Sequence, residues 1–315
     1  MTTTVASAPG KIVICGEYAV LDGAPAICTA VNRRARARIS TAAGDFHTVR
    51  ANGLVAGEWT GREMPAGNLD LLHEVWKSAA IDGQFDIELD TSEFVDSESG
   101  SKLGLGSSAA LTVALVTGIF ELAGNPENVE KEAVEAHRRF QLGRGSGVDV
   151  ATSLNGGVIE YRMAGPRRSL QWPAGLQCAV LWSGRPSSTS DKLTRLHRVG
   201  RQSTSLCDAS ETTAETWSGG NVPDLLAALR LYVDALAQFD VDQGLGIFDA
   251  GHRELVAAAA EQNLVYKPCG AGGGDIGMVF ASDVRAVRDF ADIAGDSGFK
   301  VLDVEFQARG VLVEG

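Results

Sequence analysis

Leu103-Gly-Leu-Gly-Ser-Ser-Ala-Ala-Leu111 runs without a break into the apolar stretch Thr112–Phe120. Glycines and serines at the mouth of an apolar helix leave its first N–H groups unpaired at the positive end of the helix dipole, which makes a cradle for phosphate oxygens. Gly104 and Gly106 allow a close approach to the backbone, and Ser107 and Ser108 add hydroxyls able to bind phosphate oxygens or Mg²⁺. Taken alone, the same residues read better as a tight turn with a serine cap ahead of a core helix. It is not a Walker A loop, because no Gly-Lys-Ser/Thr follows four residues after the first glycine.

Outward from this loop, strand-like segments occur at Lys11–Cys15, Phe85–Asp90, Val158–Tyr161, Cys178–Trp182, Met278–Ala281 and Val301–Phe306. In Arg34-Ala-Arg-Ala-Arg-Ile39 the alternation places three arginines on one face of a half-exposed strand and reads as a solvated face. Asn68 stands where it could cap a helix carrying Leu69, Leu72, Val75, Trp76 and Ala79. Asn125-Pro126 opens a helix running toward Gly143, and Pro223–Phe239, Gly251–Gln262 and Val284–Ala294 carry further helical patterns. Helices and strands alternate throughout, the mark of an α+β or α/β protein. A chain of 315 residues exceeds the size at which a single core stops growing, so two lobes are expected.

Composition narrows the function. The charge of −12, from 28 basic and 40 acidic residues, repels nucleic acid phosphates and anionic membrane surfaces, so neither is expected as a partner. Neither a signal segment nor a long apolar run is visible, which predicts a cytoplasmic protein. Cys15, Cys28, Cys178, Cys207 and Cys269 are odd in number and widely spaced, and read as reduced core or lining thiols. His47, His73, His137, His197 and His252 lack metal-ligand spacing and read as structural or exposed.

Two further motifs give the central loop its meaning. Ala8-Pro-Gly-Lys-Ile-Val-Ile-Cys-Gly-Glu-Tyr-Ala-Val-Leu21 precedes it, and Lys267-Pro-Cys-Gly-Ala-Gly-Gly-Gly-Asp-Ile-Gly277 follows it. In this order, the three resemble the motifs of the galactokinase, homoserine kinase, mevalonate kinase and phosphomevalonate kinase (GHMP) superfamily. The resemblance implies a two-lobed α+β fold, with a ribosomal-S5-domain-2-like lobe over residues 1–165 and a ferredoxin-like lobe over 166–315. It implies ATP and Mg²⁺ as cofactors, with Lys102, Gly104, Leu105, Gly106, Ser107, Ser108 and Ala109 around the nucleotide phosphates and Ser108 reaching the metal. Lys11 and Asp149 match the family's facing lysine and aspartate, Asp149 within Gly145-Ser-Gly-Val-Asp-Val-Ala-Thr-Ser153. Substrate contact is implied for Glu17, Tyr18, Ser146, Gly147, Ser188, Thr189, Gly272, Gly273 and Asp275.

Within the superfamily, Gly16-Glu17-Tyr18, Lys102, the Gly-Gly-Gly-Asp-Ile-Gly ending at Gly277 and Trp182-Ser-Gly-Arg-Pro-Ser-Ser-Thr189 are similar to the phosphomevalonate kinase branch. Mevalonate kinase, or another kinase of the superfamily, is the alternative, and a non-catalytic ligand-binding relative a remote one. The resemblance places Arg138 where mevalonate kinases carry a Mg²⁺-binding glutamate. Either Ser108 then holds the metal with water and phosphates, or Glu135 substitutes. The expected partner is a small acidic metabolite, and the expected assembly a monomer or homodimer.

Overall fold

The computed structural model describes residues 2–64, 70–79, 81–199 and 204–314. The cap expected at Asn68, and Leu69 beside it, lie outside these residues. The chain divides into two compact units, one of Met1–Lys11, Ala30–Gly157 and Phe306–Gly315, the other of Ile12–Thr29 and Val158–Glu305. A single boundary near residue 165 does not express this division. The segment Ile12–Thr29 folds with the later residues, and the C-terminal segment returns to the first unit, where Leu312–Glu314 pairs with Val5–Ser7.

The first unit draws on β1 (Thr3–Cys15), β2 (Ala26–Thr41), β3 (His47–Asn52), β4 (Gly57–Gly61), β5 (Phe85–Asp90) and β12 (Leu312–Glu314). Its helices are α1 (Asp70–Ala79), α2 (Ser107–Leu122), α3 (Val129–Phe140) and α4 (Val148–Asn155). Strand order is β12-β1-β2-β5-β3-β4, with β3 and β5 parallel. Helix α2 is apolar on all sides and buried from Ala109 to Phe120 except at Leu111, as a helix enclosed by its neighbours must be. Ala37, Ile39, Ile87 and Leu89 of the sheet share one core with Val113, Leu115 and Ile119 of α2 and Ala133 and Ala136 of α3.

The alternation in β2 holds, with Ala35, Ala37 and Ile39 fully buried. Its arginine face is less solvated than expected. Arg34 donates to the Ser7 carbonyl and to those of Arg309 and Gly310, and so pins the returning C-terminal segment. Arg36 pairs with Glu93 at 2.6 Å. The helix expected after Asn125 begins as a single 3₁₀ turn at Pro126–Asn128, and α3 proper starts at Val129.

The second unit contains β6 (Val158–Tyr161), β7 (Arg168–Leu170), β8 (Gln177–Trp182), α5 (Thr189–Val199), α6 (Thr204–Gly219), α7 (Val222–Gln243), α8 (His252–Glu261), β9 (Val265–Pro268), β10 (Ile276–Ala281), α9 (Val284–Asp296) and β11 (Lys300–Leu302). The antiparallel order β11-β8-β10-β9 is fourth, first, third, second along the chain, with helices after the first and third strands. This is the ferredoxin-like arrangement expected for the C-terminal lobe. Asn221 caps α7 by accepting from the Asp224 amide, and left-handed Gly244 ends it. The strand expected over Val301–Phe306 stops at Leu302, and Phe306 bridges Val31 in the first unit. All five cysteines are free. Among the described residues no helix is long and apolar enough to cross a membrane.

Candidate active site

The Gly-rich loop adopts the geometry its composition requires. Gly104 and Gly106 have φ of 80° and 79°, in the left-handed region that disfavours other residues. Gly106 is the N-cap of α2 and has no side chain with which to cap the amides of Ser107, Ser108 and Ala109. A Cβ on Gly106 would also stand 2.8 Å from Lys11 Cε, so a side chain there would displace the lysine stem from the loop. Strand β1 packs equally closely. The Lys11 amide donates to the Leu105 carbonyl at 2.8 Å, and a Cβ on Gly10 would lie 2.6 Å from that same oxygen.

The stem of Lys11 thus crosses the loop, and its ammonium reaches Asp149 at 3.3 Å. Asp149 sits in the first turn of α4, behind left-handed Gly147, whose neighbour Ser146 accepts from the Val148 amide. The lysine side chain is 8% exposed and the aspartate 25%, so the pair is shielded yet open on the carboxylate side. Lys102 precedes the loop in a bridge to Val95. The first unit therefore joins Lys11, Leu105, Gly106 and Asp149 directly, with Gly104, Ser107, Ser108, Ala109, Ser146 and Gly147 on the same loop and helix starts.

Beside the loop lies a cavity of about 240 Å³. Leu54, Val55, Leu71, Leu72, Leu89, Leu111 and Phe140 make it apolar, and Ser107 and Ser108 stand in its wall. Open amides next to an apolar slot fit a nucleotide, whose base is flat and apolar-faced and whose phosphates need donors. Among the described residues no group of three His, Cys, Asp or Glu side chains is placed to hold a metal, so a divalent cation would depend on Ser108 together with phosphate oxygens and water.

The expectation at Arg138 needs correcting. Arg138 is exposed, and the side chain of α3 that reaches the loop is its neighbour His137, 2% exposed, with Nε2 3.2 Å from Ser108 Oγ. Burial lowers the His137 pKa to about 4, with Lys11 lowering it further and Asp149 opposing. The ring is therefore neutral, and no cation faces Ser108 from this position. Glu135 pairs with Arg139 at 3.8 Å. In sequence His137 reads as structural or exposed, because an isolated histidine in a polar helix carries no spacing signal.

The residues expected to touch substrate in the second unit have other partners. Glu17 is buried, with Oε1 2.5 Å from Lys267 Nζ and Oε2 accepting from Tyr232 at 2.7 Å. Burial alone would lower the pKa of the Lys267 ammonium, but Cys269 and Glu17 outweigh it and raise it. Glu17 also accepts from the Gly270 amide, and Tyr18 donates to the Ala271 carbonyl. The pair expected to bind substrate thus anchors the third glycine-rich loop. Ser187 donates to the Gly272 carbonyl, the Gly273 amide donates to Ile247, and His252 Nε2 meets the Gly274 carbonyl at 3.0 Å. Asp275 accepts from the Ser187 amide, while Ser188 caps α5 by accepting from Asp191 and Thr189 is the first residue of that helix. Lys192, which no motif singled out, is buried against the loop and donates to the Leu245 and Gly246 carbonyls.

Residues 69–157 match the family described as GHMP kinases N terminal domain. The phosphomevalonate kinase of Streptomyces sp. (strain CL190) is 32% identical, over 92% of this chain and 93% of that protein. A mevalonate kinase of Methanothermobacter thermautotrophicus is 26% identical over 98% and 99%. In fold, the chain is similar to Streptococcus pneumoniae phosphomevalonate kinase in complex with phosphomevalonate and AMPPNP, with a TM-score of 0.79, 18% identity and coverage of 97% and 100%.

Proposed function

The chain belongs to the GHMP kinase family, and from that premise we propose that it transfers the γ-phosphoryl group of ATP to the phosphate of phosphomevalonate, yielding a diphosphate. The observation that carries the choice of acceptor is the 32% identity with a phosphomevalonate kinase over nearly the whole of both chains, against 26% for the mevalonate kinase.

The first unit's residues suit that chemistry. Bound Mg·ATP supplies the phosphoryl group and part of its charge neutralisation. The amides of Ser107, Ser108 and Ala109 would bind phosphate oxygens, and Ser108 Oγ would hold the metal. The Lys11 ammonium, held 3.3 Å from Asp149, would offer positive charge to the oxygens of donor and acceptor. Lys102 is assigned to the same task. A phosphomonoester with a second pKa near ~6 is largely dianionic at neutral pH and attacks without losing a proton to a base. Asp149 then has mainly to orient Lys11. Ser146 and Gly147 beside it are proposed to contact the acceptor. Ser188, Thr189, Gly272, Gly273 and Asp275 are given the same role by resemblance, and Glu17 and Tyr18 act by holding the third loop.

Acceptor selectivity tests the reading. ADP release with Mg·ATP is measured against phosphomevalonate, mevalonate, homoserine and galactose. The expected result is a kcat/KM for phosphomevalonate at least a hundredfold above the others, and a preference for mevalonate overturns it.

A further inference from the structure

We infer that His137 is a positioning residue that aims the Ser108 hydroxyl at the nucleotide-bound divalent cation. The inference rests on the kinase reading above and deepens it. Helix α3 buries Val129, Ala133, Ala136 and His137 on one face, while Arg138 and Arg139 lie on the other. An imidazole placed among alanines and valines costs free energy unless its nitrogens find partners. Its partner here is Ser108 Oγ, 3.2 Å from Nε2.

Ser108 is itself fixed at its backbone. It stands in the first turn of α2, and its carbonyl accepts from the Thr112 hydroxyl at 2.7 Å. The side-chain hydroxyl, on the wall of the cavity beside the loop, would otherwise be free to rotate. A hydroxyl has one proton and two lone pairs. If that proton is donated to Nε2, both lone pairs turn away from α3 and are open to a cation. If the hydroxyl instead accepts from the ring, only one remains. The buried imidazole therefore restricts Ser108 to a small set of orientations, and a cation on the oxygen favours the one in which Ser108 is the donor. Contact between residues 29 apart in sequence, on two helices of one core, gives the arrangement a rigid base.

Calorimetric titration with the non-hydrolysable analogue AMPPNP, with Mg²⁺ and with EDTA, tests this in wild type, Ser108→Ala, His137→Phe and the double variant. Phenylalanine keeps ring bulk and removes the hydrogen bond, and His137→Gln keeps a hydrogen-bonding group should the Phe variant fold poorly. The expected result is a loss of about tenfold in Mg²⁺-dependent affinity for His137→Phe. Affinity in EDTA should stay within about twofold, the Gln variant should recover part of the loss, and no further loss should follow in the Ser108→Ala background. A histidine that only props α3 against α2 would change melting temperature but would not couple to Ser108. Unchanged Mg²⁺-dependent affinity, or full additivity with Ser108→Ala, overturns the inference. Wild type that fails to bind AMPPNP overturns the kinase reading instead.

Discussion

Lys11 and Asp149 stand 3.3 Å apart, and the two candidate acceptors ask different things of them. An alcohol must lose a proton, and removing its base typically costs about 10²–10⁴-fold. A phosphate dianion needs no base but brings more negative charge, and loss of one positioned electrostatic group costs about 10²–10³-fold. Steady-state kinetics with phosphomevalonate should therefore show Asp149→Asn within about tenfold of wild type and Lys11→Ala reduced by two orders of magnitude or more. Collapse of turnover in the aspartate variant alone would point to an alcohol acceptor. Both residues were legible in sequence because each lies in a motif of fixed order. His137 was not. Its role comes from a contact across two helices, whereas the motif position falls on its neighbour Arg138, which the helix turns outward.

At the scale of elements, the third glycine-rich loop is a tethered structure, with Glu17, Tyr18, Ser187, Ile247 and His252 each holding part of its backbone. Sequence showed that a close backbone approach was needed there. It did not show that Glu17 would be spent on Lys267, since buried pairing depends on residues 250 positions apart. Removing one member of a buried pair strands the other charge and costs about 3–5 kcal/mol, whereas replacing both with apolar groups costs far less. Chemical denaturation should find Lys267→Met strongly destabilised and the Glu17→Leu/Lys267→Met double variant closer to wild type. A single variant as stable as wild type would show that the pair does not anchor the loop.

Across the whole molecule, the helix and strand pattern was largely legible, including the limits of β5 and β6, because strong apolar periodicity reports burial directly. The discontinuous division into units was not, because which unit a segment joins is decided by distant pairing, as when Leu312–Glu314 returns to β1. Buried histidines bear on global stability. His252 is fully buried, and since a carbonyl only accepts, its Nε2 carries the proton given to Gly274 while Nδ1 accepts from Tyr266. Burial is the main cause that lowers its pKa from 6.5 to about 4. A folded value below the unfolded one means that the stabilisation is complete above pH 6.5 and is lost as pH falls toward 4. The loss is on the order of 3 kcal/mol. Melting temperature should accordingly drop across that window, and less steeply in His252→Asn; equal slopes would remove His252 as the cause.

Phosphoryl transfer to phosphomevalonate is read directly by ³¹P NMR of the protein with Mg·ATP and phosphomevalonate. The phosphomonoester resonance should disappear as ADP and a second diphosphate, with two coupled phosphorus signals, accumulate together in equal amounts. An unchanged phosphomonoester signal, with folded protein and Mg·ATP present, would contradict phosphoryl transfer to this acceptor.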